Sequence, residues 1–261
     1  MRIIRFQAKD KKVHYGWIKN DMVGRIEGSP FGNFKRLEPD LPLDRTRLMA
    51  PLVPGKIICV GRNYPEHAKE VGADPTKVPV LFLKPNSAVI GPGETIKIPP
   101  QSAQVEHEGE LAVVISKKGR WIPLEFAKDH ILGCTIANDV TARDLQRRDG
   151  QWTRGKGFDT FCPLGPWIET DFNPFDVMIT THVNGQMRQM ASSRDMIFSI
   201  FQLIAYASSV MTLEAGDVIL TGTPAGIGPL LDGDVVKVTI DGLGELINPV
   251  ERLADNPDYL K

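Results

Sequence analysis

The pattern of apolar and polar positions predicts a chain built mostly from short strands. Weak period-two alternation marks strands at 3–6, 13–18 and 22–26, followed by a Gly- and Pro-containing stretch at 28–42. Residues 48–55 carry Pro51 and Pro54 and read as a linker, with a boundary near residue 52. The expected organisation is a small N-terminal β-rich domain, 1–52, and a larger domain, 53–261. Beyond the linker, strands are expected at 56–60, 78–83, 95–98, 110–115, 131–137, 217–220 and 235–240. Asn184-Gly185, between apolar runs at 177–183 and 186–190, is a strong hairpin signal. Pro65 suits the first position of a short helix over 65–71. A second helix is expected over 140–148. The longest, 195–209, places Met196, Ile197, Ile200, Leu203, Ile204 and Ala207 on one stripe, with Ser192 or Ser193 as its cap. One long helix, two short ones and many strands exclude a helix bundle and fit a regular βαβ repeat poorly. The expected class is mainly β (α+β), with folded-over sheets.

Composition changes this picture little. A chain of 261 residues is long enough to bury a substantial core. A net charge of −1 gives no basic excess, so neither nucleic acid nor a membrane surface is an expected partner. Cys59, Cys134 and Cys162 are odd in number and widely spaced, which argues against a disulfide framework or zinc ribbon and for buried thiols. The first residues show no apolar run of signal-peptide type, and the longest uncharged stretch, 196–213, is broken by Ser199, Gln202, Ser208 and Ser209. A cytoplasmic setting is the expectation.

The acidic residues carry more information. In Glu106-His107-Glu108-Gly109-Glu110, strand geometry puts Glu106, Glu108 and Glu110 on one face and His107 on the other. They lead directly into Leu111-Ala112-Val113-Val114-Ile115, a core-like run. Adjacent carboxylates at the mouth of a buried strand repel unless a proton or cation lies between them, and a hard divalent ion resolves the conflict. A charged edge strand surfacing before it enters the core is the alternative. Asp139 ends another apolar run and is either a third oxygen ligand or a helix N-cap. In a helix, Asp139, Arg143 and Gln146 would share one face, with Arg143 binding a substrate carboxylate or pairing with an acid; Asp144 would point to solvent. His67 and Glu70 are three apart on the short helix, as in a general base oriented by a carboxylate, or in a plain surface pair. Lys156 lies between Gly155 and Gly157 and either stabilises an anionic oxygen or is a solvated loop lysine. Leu220-Thr221-Gly222-Thr223-Pro224 runs a strand into a tight turn, where Thr223 offers a hydroxyl and an amide.

Taken together, these segments resemble the fumarylacetoacetate hydrolase family. The resemblance rests on Val60-Gly61-Arg62-Asn63-Tyr64 with His67 and Glu70, Phe82-Leu83-Lys84-Pro85, His107-Glu108-Gly109-Glu110-Leu111, Asp139-Val140-Thr141-Ala142-Arg143-Asp144, and Leu220-Thr221-Gly222-Thr223-Pro224, in order over about 55–250. It implies a β-roll-like catalytic domain, often with a smaller N-terminal domain, and a homodimer. It implies that Glu108, Glu110 and Asp139 bind Mg²⁺ or Mn²⁺, with Ca²⁺ as an alternative. It further implies that His67 and Glu70 form a water-activating dyad on a segment that closes over the substrate. Lys156 would match the active-site lysine, and Arg143, Gln146 and Thr223 substrate-binding positions. The fumarylacetoacetate hydrolases proper have a further metal-binding aspartate near the place of Arg62-Asn63. Its absence makes the chain more similar to the shorter acylpyruvate hydrolase, oxaloacetate decarboxylase and hydroxymuconate isomerase group.

The implied reaction is metal-dependent hydrolysis of a C–C bond in acylpyruvate-type 2,4-dioxo acids through a metal-bound enolate. The isomerisation of 5-carboxymethyl-2-hydroxymuconate or 2-hydroxyhepta-2,4-diene-1,7-dioate and the decarboxylation of oxaloacetate would use the same intermediate without the hydrolytic water. A small 2-oxo acid is the expected partner in each case. A non-catalytic metal- or ligand-binding module is the rival from another class; it would have no use for a His67–Glu70 base.

Overall fold

The strand Gly109–Ile115 is buried along its whole length and organises the fold. Its side chains alternate between two cores. Leu111, Val113 and Ile115 face one with Ile58, Ile136 and Ile219, while Ala112 and Val114 face the other with Ile57, Ala137, Leu164 and Val218. Burial on both faces explains why the sequence there reads as a continuous apolar run. The computed structural model describes residues 1–9 and 11–254.

Gly109–Ile115 lies within a twelve-stranded sheet, between the antiparallel strands Ile131–Asn138 and Val218–Leu220. Val218–Leu220 in turn pairs in parallel with Ile57–Gly61, which pairs with Val80–Lys84. On the other side the sheet continues through Cys162–Glu169 to Arg2–Gln7, where Arg2 lies opposite Glu169 and Ile3 opposite Ile168. The N-terminal strands Arg2–Gln7, Val13–Lys19, Met22–Gly28 and Phe34–Pro42 form a meander that extends this sheet across residue 52. A five-stranded sheet covers one face, with the hairpin Met178–Val183 and Gln186–Ser192 at its edge. Asn184 and Gly185 take positive φ of 51° and 78° at its turn, as a two-residue primed turn requires.

The described residues form four short α-helices. They are α1 (Pro65–Glu70), α2 (Arg143–Asp149), α3 (Thr153–Lys156) and α4 (Ile200–Val210). Helix α4 packs Ile200, Leu203, Ile204 and Ala207 into the first core. None of the described helices is long and apolar enough to cross a membrane. Cys59, Cys134 and Cys162 are buried free thiols.

Several elements differ from the sequence expectation. Residues 34–42 form a strand despite Pro39 and Pro42, because it is the sheet's edge, where a missing N–H costs least. Residues 47–49, the last two of them read as linker, pair with Arg2–Gln7. The helix expected from 195 starts at Ile200. Ser192 and Asp195 form one capping box that opens a single 3₁₀ turn, and Ser199 with Gln202 forms a second that opens α4. Met196 and Ile197 lie in the extended segment between them, held by the Ile197 N–H on the Asn63 carbonyl at 2.8 Å. The helix expected from 140 starts at Arg143, since Thr141–Ala142 first pairs with Val105–His107.

Candidate metal centre and its cleft

The carboxylates of Glu108, Glu110 and Asp139 converge, with ligand oxygens within 4.8 Å of one another. Strand pairing brings this about. Glu110 lies opposite Ala137 and Gly109 opposite Asn138, and the next rung is a backbone bond from Asp139 N–H to Glu108 carbonyl at 2.8 Å. Asn138 completes it by accepting the Glu108 N–H on its side-chain oxygen at 2.9 Å. Glu108, Glu110 and Asp139 therefore share one face of two adjacent strand ends. The helical spacing expected for Asp139, Arg143 and Gln146 does not occur, because Asp139 lies outside α2; Arg143 and Gln146 do meet, at 2.7 Å.

Three buried cations surround these acids. Lys156 Nζ lies 2.7 Å from both Glu108 Oε2 and Asp139 Oδ2. Lys84 Nζ lies 2.6 Å from Asp139 Oδ1 and donates to the Val140 carbonyl at 3.1 Å. Arg143 binds Glu106 Oε2 through Nε at 2.7 Å and Glu108 Oε1 through Nη2. Burial alone would raise the Glu108 carboxyl, but Lys156 and Arg143 outweigh it and hold that group well below the usual carboxylate range. Glu110 goes the other way: burial, then Asp139 and Glu108, push it well above that range. Burial opposes the charge on Lys156 and Arg143, but Asp139 and Glu108 raise the first and Glu108 and Glu106 the second, keeping both charged.

The acids floor a cleft of about 170 Å³. His67, Arg143, Gln146, Lys156 and Thr223 also line it, as do Arg62, Phe82, Arg147 and Trp152. Helix α1 brings His67 over the floor, with its Nδ1 on Glu70 Oε2 at 3.1 Å. Glu70 Oε1 accepts the Gly226 N–H at 2.9 Å, so the same carboxylate ties α1 to the turn after Thr223. Lys156 is brought in by α3, which packs against α2 so closely that a Cβ on Gly155 would lie 3.0 Å from Gln146. The Thr223 hydroxyl donates to the Gly109 carbonyl at 3.0 Å and accepts from Gln189 at 2.7 Å, which leaves its amide for a ligand. Every residue given a metal-binding, catalytic or substrate-binding role from sequence thus lies at one place, Glu70 immediately behind His67. Asp144, expected in solvent, instead accepts from Ser102 Oγ at 2.6 Å and Ala103 N–H at 3.0 Å.

Two polar residues receive no role in the sequence reading. Lys84, which ends the apolar strand Val80–Lys84, figures in that reading only as part of Phe82-Leu83-Lys84-Pro85. Gln189 is buried in the hairpin, where its Oε1 accepts the Gly109 N–H at 3.0 Å and meets His107 Nδ1 at 3.2 Å. His107, out of phase with the acids, stays out of the cluster as the alternation requires.

Comparisons with known proteins agree with this architecture. The family described as "Fumarylacetoacetate (FAA) hydrolase C-terminal" matches residues 56–251, and that described as "Rv2993c-like, N-terminal" matches residues 1–51. The oxaloacetate tautomerase fahd2 of Xenopus laevis is 46% identical over 216 residues, 78% of this chain and 68% of the relative. The crystal structure of 5-carboxymethyl-2-hydroxymuconate delta-isomerase from Mycobacterium smegmatis superposes with a TM-score of 0.91 at 47% identity, over 97% of this chain and 100% of that one. Maleylpyruvate hydrolase from Sphingobium sp. SYK-6, in complex with manganese(II) and pyruvate, gives a TM-score of 0.80 at 31% identity, over 97% of this chain and 100% of that one. On the extent of the family match and these identities, the chain is a member of the fumarylacetoacetate hydrolase family and an enzyme of that fold.

Proposed function

We propose that the protein is a divalent-metal-dependent enzyme that acts on a small 2-oxo acid through its enolate, and that Glu108, Glu110 and Asp139 hold Mg²⁺ or Mn²⁺. The observation that carries this reading is the Glu110 carboxyl. It is 2% exposed, stands beside two other acids, and among the described residues has only the Gly222 N–H as hydrogen-bond partner, at 2.7 Å. A buried carboxylate so placed needs a proton or a cation, and a divalent ion serves all three acids at once. Three hard oxygen donors suit Mg²⁺ or Mn²⁺ better than Zn²⁺, and the maleylpyruvate hydrolase is described with manganese. With Glu110 ionised, Glu106, Glu108, Glu110 and Asp139 outnumber Lys84, Arg143 and Lys156 by one charge, so a floor holding a divalent ion is positive by one and attracts an organic anion.

A bound divalent ion supplies Lewis acidity toward the keto oxygen. Lys156 adds a fixed positive charge where negative charge develops. Glu70 accepts the His67 Nδ1–H, which leaves the Nε2 lone pair to take a proton. For an acylpyruvate, His67 removes that proton from water, the oxygen adds to the distal carbonyl, and the C–C bond breaks to leave an acid and the enolate of pyruvate. A second reading, keto–enol tautomerisation or double-bond isomerisation, is favoured by the names of the relatives at 46% and 47% identity. It needs the same enolate and a proton carrier, but no attacking water.

Turnover of acetylpyruvate, oxaloacetate and 5-carboxymethyl-2-hydroxymuconate, with Mg²⁺ or Mn²⁺ and after chelation, tests the proposal. At least one substrate is expected to react only with metal. No metal-dependent turnover of any of them would refute it. His67→Ala is expected to abolish acetylpyruvate hydrolysis while Mn²⁺ still binds; unchanged turnover would remove the water-activating role.

A further inference from the structure

Two aromatic rings lie between two cations along one wall of the cleft. Lys156 Nζ lies 5.0 Å from the Phe82 ring centroid, Phe82 meets Trp152 edge-on at 5.2 Å, and the Arg62 guanidinium lies 5.7 Å from the Trp152 ring. Helix α3 sets two of these groups. The Lys156 N–H donates to the Trp152 carbonyl at 3.0 Å, so one turn puts the lysine on the floor and the indole on the wall.

Arg62 is held in place from both sides. Gly61 packs flat on the indole, where a Cβ would lie 2.7 Å from Trp152. Asn63 is pinned by its side chain, which donates to the Thr221 and Phe198 carbonyls at 2.8 and 3.1 Å and accepts the Phe198 N–H at 2.8 Å. Between them Arg62 adopts φ of 59°, a left-handed conformation that a non-glycine residue keeps only where its surroundings impose it. Arg147 lines the same cleft from α2, one turn beyond Arg143.

These two guanidiniums differ from the cations below them. Lys84, Arg143 and Lys156 are each committed to carboxylates of the floor. Among the described residues, neither Arg62 nor Arg147 pairs with a carboxylate, and both are partly open to solvent. Two uncommitted guanidiniums on a cleft whose floor takes the keto-acid end of a substrate are placed for a second anion. We propose that Arg62, assisted by Arg147, binds the distal carboxylate of a 2-oxo dicarboxylic acid and thereby selects dicarboxylates over monocarboxylates. This rests on the metal-dependent reading of the floor and names the substrate class within it. The aromatic wall keeps the guanidinium of Arg62 oriented and partly desolvated, which strengthens a charge-assisted bond to carboxylate.

The test is calorimetric binding of 2-oxoglutarate and 2-oxovalerate to the Mn²⁺-loaded protein. The two ligands share the keto-acid head and differ by a carboxylate in place of a methyl group. The wild-type protein is expected to prefer 2-oxoglutarate by about tenfold or more, the scale of one charge-assisted hydrogen bond. Arg62→Gln is expected to reduce that preference to about threefold or less, with Arg62→Lys intermediate and affinity for 2-oxovalerate changed by less than about threefold. Arg147→Gln, on an exposed helix face, gives a smaller loss and serves if Arg62→Gln folds poorly. An undiminished preference in Arg62→Gln and in Arg147→Gln would overturn the subsite. So would equal binding of both ligands by the wild type, with the metal-dependent reading intact. Failure of both ligands to bind, with or without Mn²⁺, would instead remove the reading on which the subsite rests.

Discussion

The carboxylate of Glu110 accepts the backbone N–H of Gly222 at 2.7 Å and, among the described residues, has no cationic side chain as partner. Glu108, two residues earlier on the same face, is held by both Lys156 and Arg143. The surroundings therefore drive two neighbouring acids in opposite directions, Glu108 down and Glu110 up. In the absence of a metal, a proton on Glu110 is the simplest way to relieve the repulsion.

Metal binding is therefore expected to displace that proton. A group whose pKa is raised in the metal-free protein keeps its proton above the usual carboxylate range and loses it when a cation arrives. Apparent metal affinity should rise with pH through the window between the ordinary glutamate value and the raised one, and level off above it. Titration of Mn²⁺ in buffers of differing ionisation enthalpy, within that window, should show release of about one proton per metal. Glu110→Gln should abolish the release and weaken Mn²⁺ by more than about tenfold. A wild-type affinity independent of pH, with no proton released, would show that Glu110 is already ionised in the metal-free protein.

Lys84 offers a test of the charge balance. Its ammonium is fully buried between Asp139 and the Val140 carbonyl. In Lys84→Met, Asp139 would keep only Lys156 as a cationic partner, so the metal-free variant should lose about 3 kcal/mol, the lower end for breaking a buried ion pair. Because a divalent ion replaces the lost charge, saturating Mn²⁺ should recover more stability in the variant than in the wild type. Urea unfolding with and without metal measures both. Equal metal-induced gains in the two proteins would mean that Lys84 and the metal do not share Asp139.

Glu108 and Glu110 were legible in the sequence because strand alternation is rigid: residues two apart share a face, and an apolar run fixes which end is buried. The convergence of Asp139 was only half legible. The apolar strand before it could be seen, but not the two-residue strand Thr141–Ala142 that delays α2. Ser199 and Gln202 carry the true start of α4, a local signal that the longer apolar stripe masked. The strand Phe34–Pro42 was hidden by its prolines, which are tolerated because of an edge position that only the assembled sheet defines. The roles of Lys84 and Gln189 were illegible for a different reason. A buried polar residue is explained by partners distant in sequence, here Asp139 for the lysine and Gly109 and Thr223 for the glutamine.

Gln189 links the two strand ends that form the site. Its amide oxygen accepts the N–H of Gly109, the residue between two proposed metal ligands, and its amide nitrogen donates to Thr223 Oγ1 and the Pro224 carbonyl, each at 2.7 Å. Gln189→Met preserves approximate volume but leaves the buried Gly109 N–H unsatisfied. The expected cost is about 2–3 kcal/mol of stability, with a loss of Mn²⁺ affinity of about 10–100-fold as the ligand strand shifts. Unfolding and metal titration on the same variant check both. A stability loss with metal affinity unchanged would make Gln189 purely structural.

Glu70 joins the dyad to the closure of α1. One oxygen orients His67, and the other accepts the Gly226 N–H across the mouth of the cleft. Two variants separate these roles. Glu70→Ala removes both contacts and should lower kcat by about 100-fold, within the range for losing a positioned acid–base group. Gly226→Ala keeps the His67–Glu70 pair but cannot keep the turn: φ there is +100°, and a Cβ would lie 2.0 Å from the Arg188 carbonyl. The turn must move and the bond to Glu70 breaks. Hydrogen exchange of amides 66–71 should therefore accelerate in both variants, while Mn²⁺ affinity stays near the wild-type value in Glu70→Ala, because none of the proposed ligands lies on α1. The pH profile of kcat should shift only in Glu70→Ala, where the imidazole has lost its carboxylate. If Gly226→Ala leaves exchange over 66–71 as slow as in the wild type, α1 is held down by the packing of Ala68 and Tyr64 alone, and the bond to Gly226 is incidental.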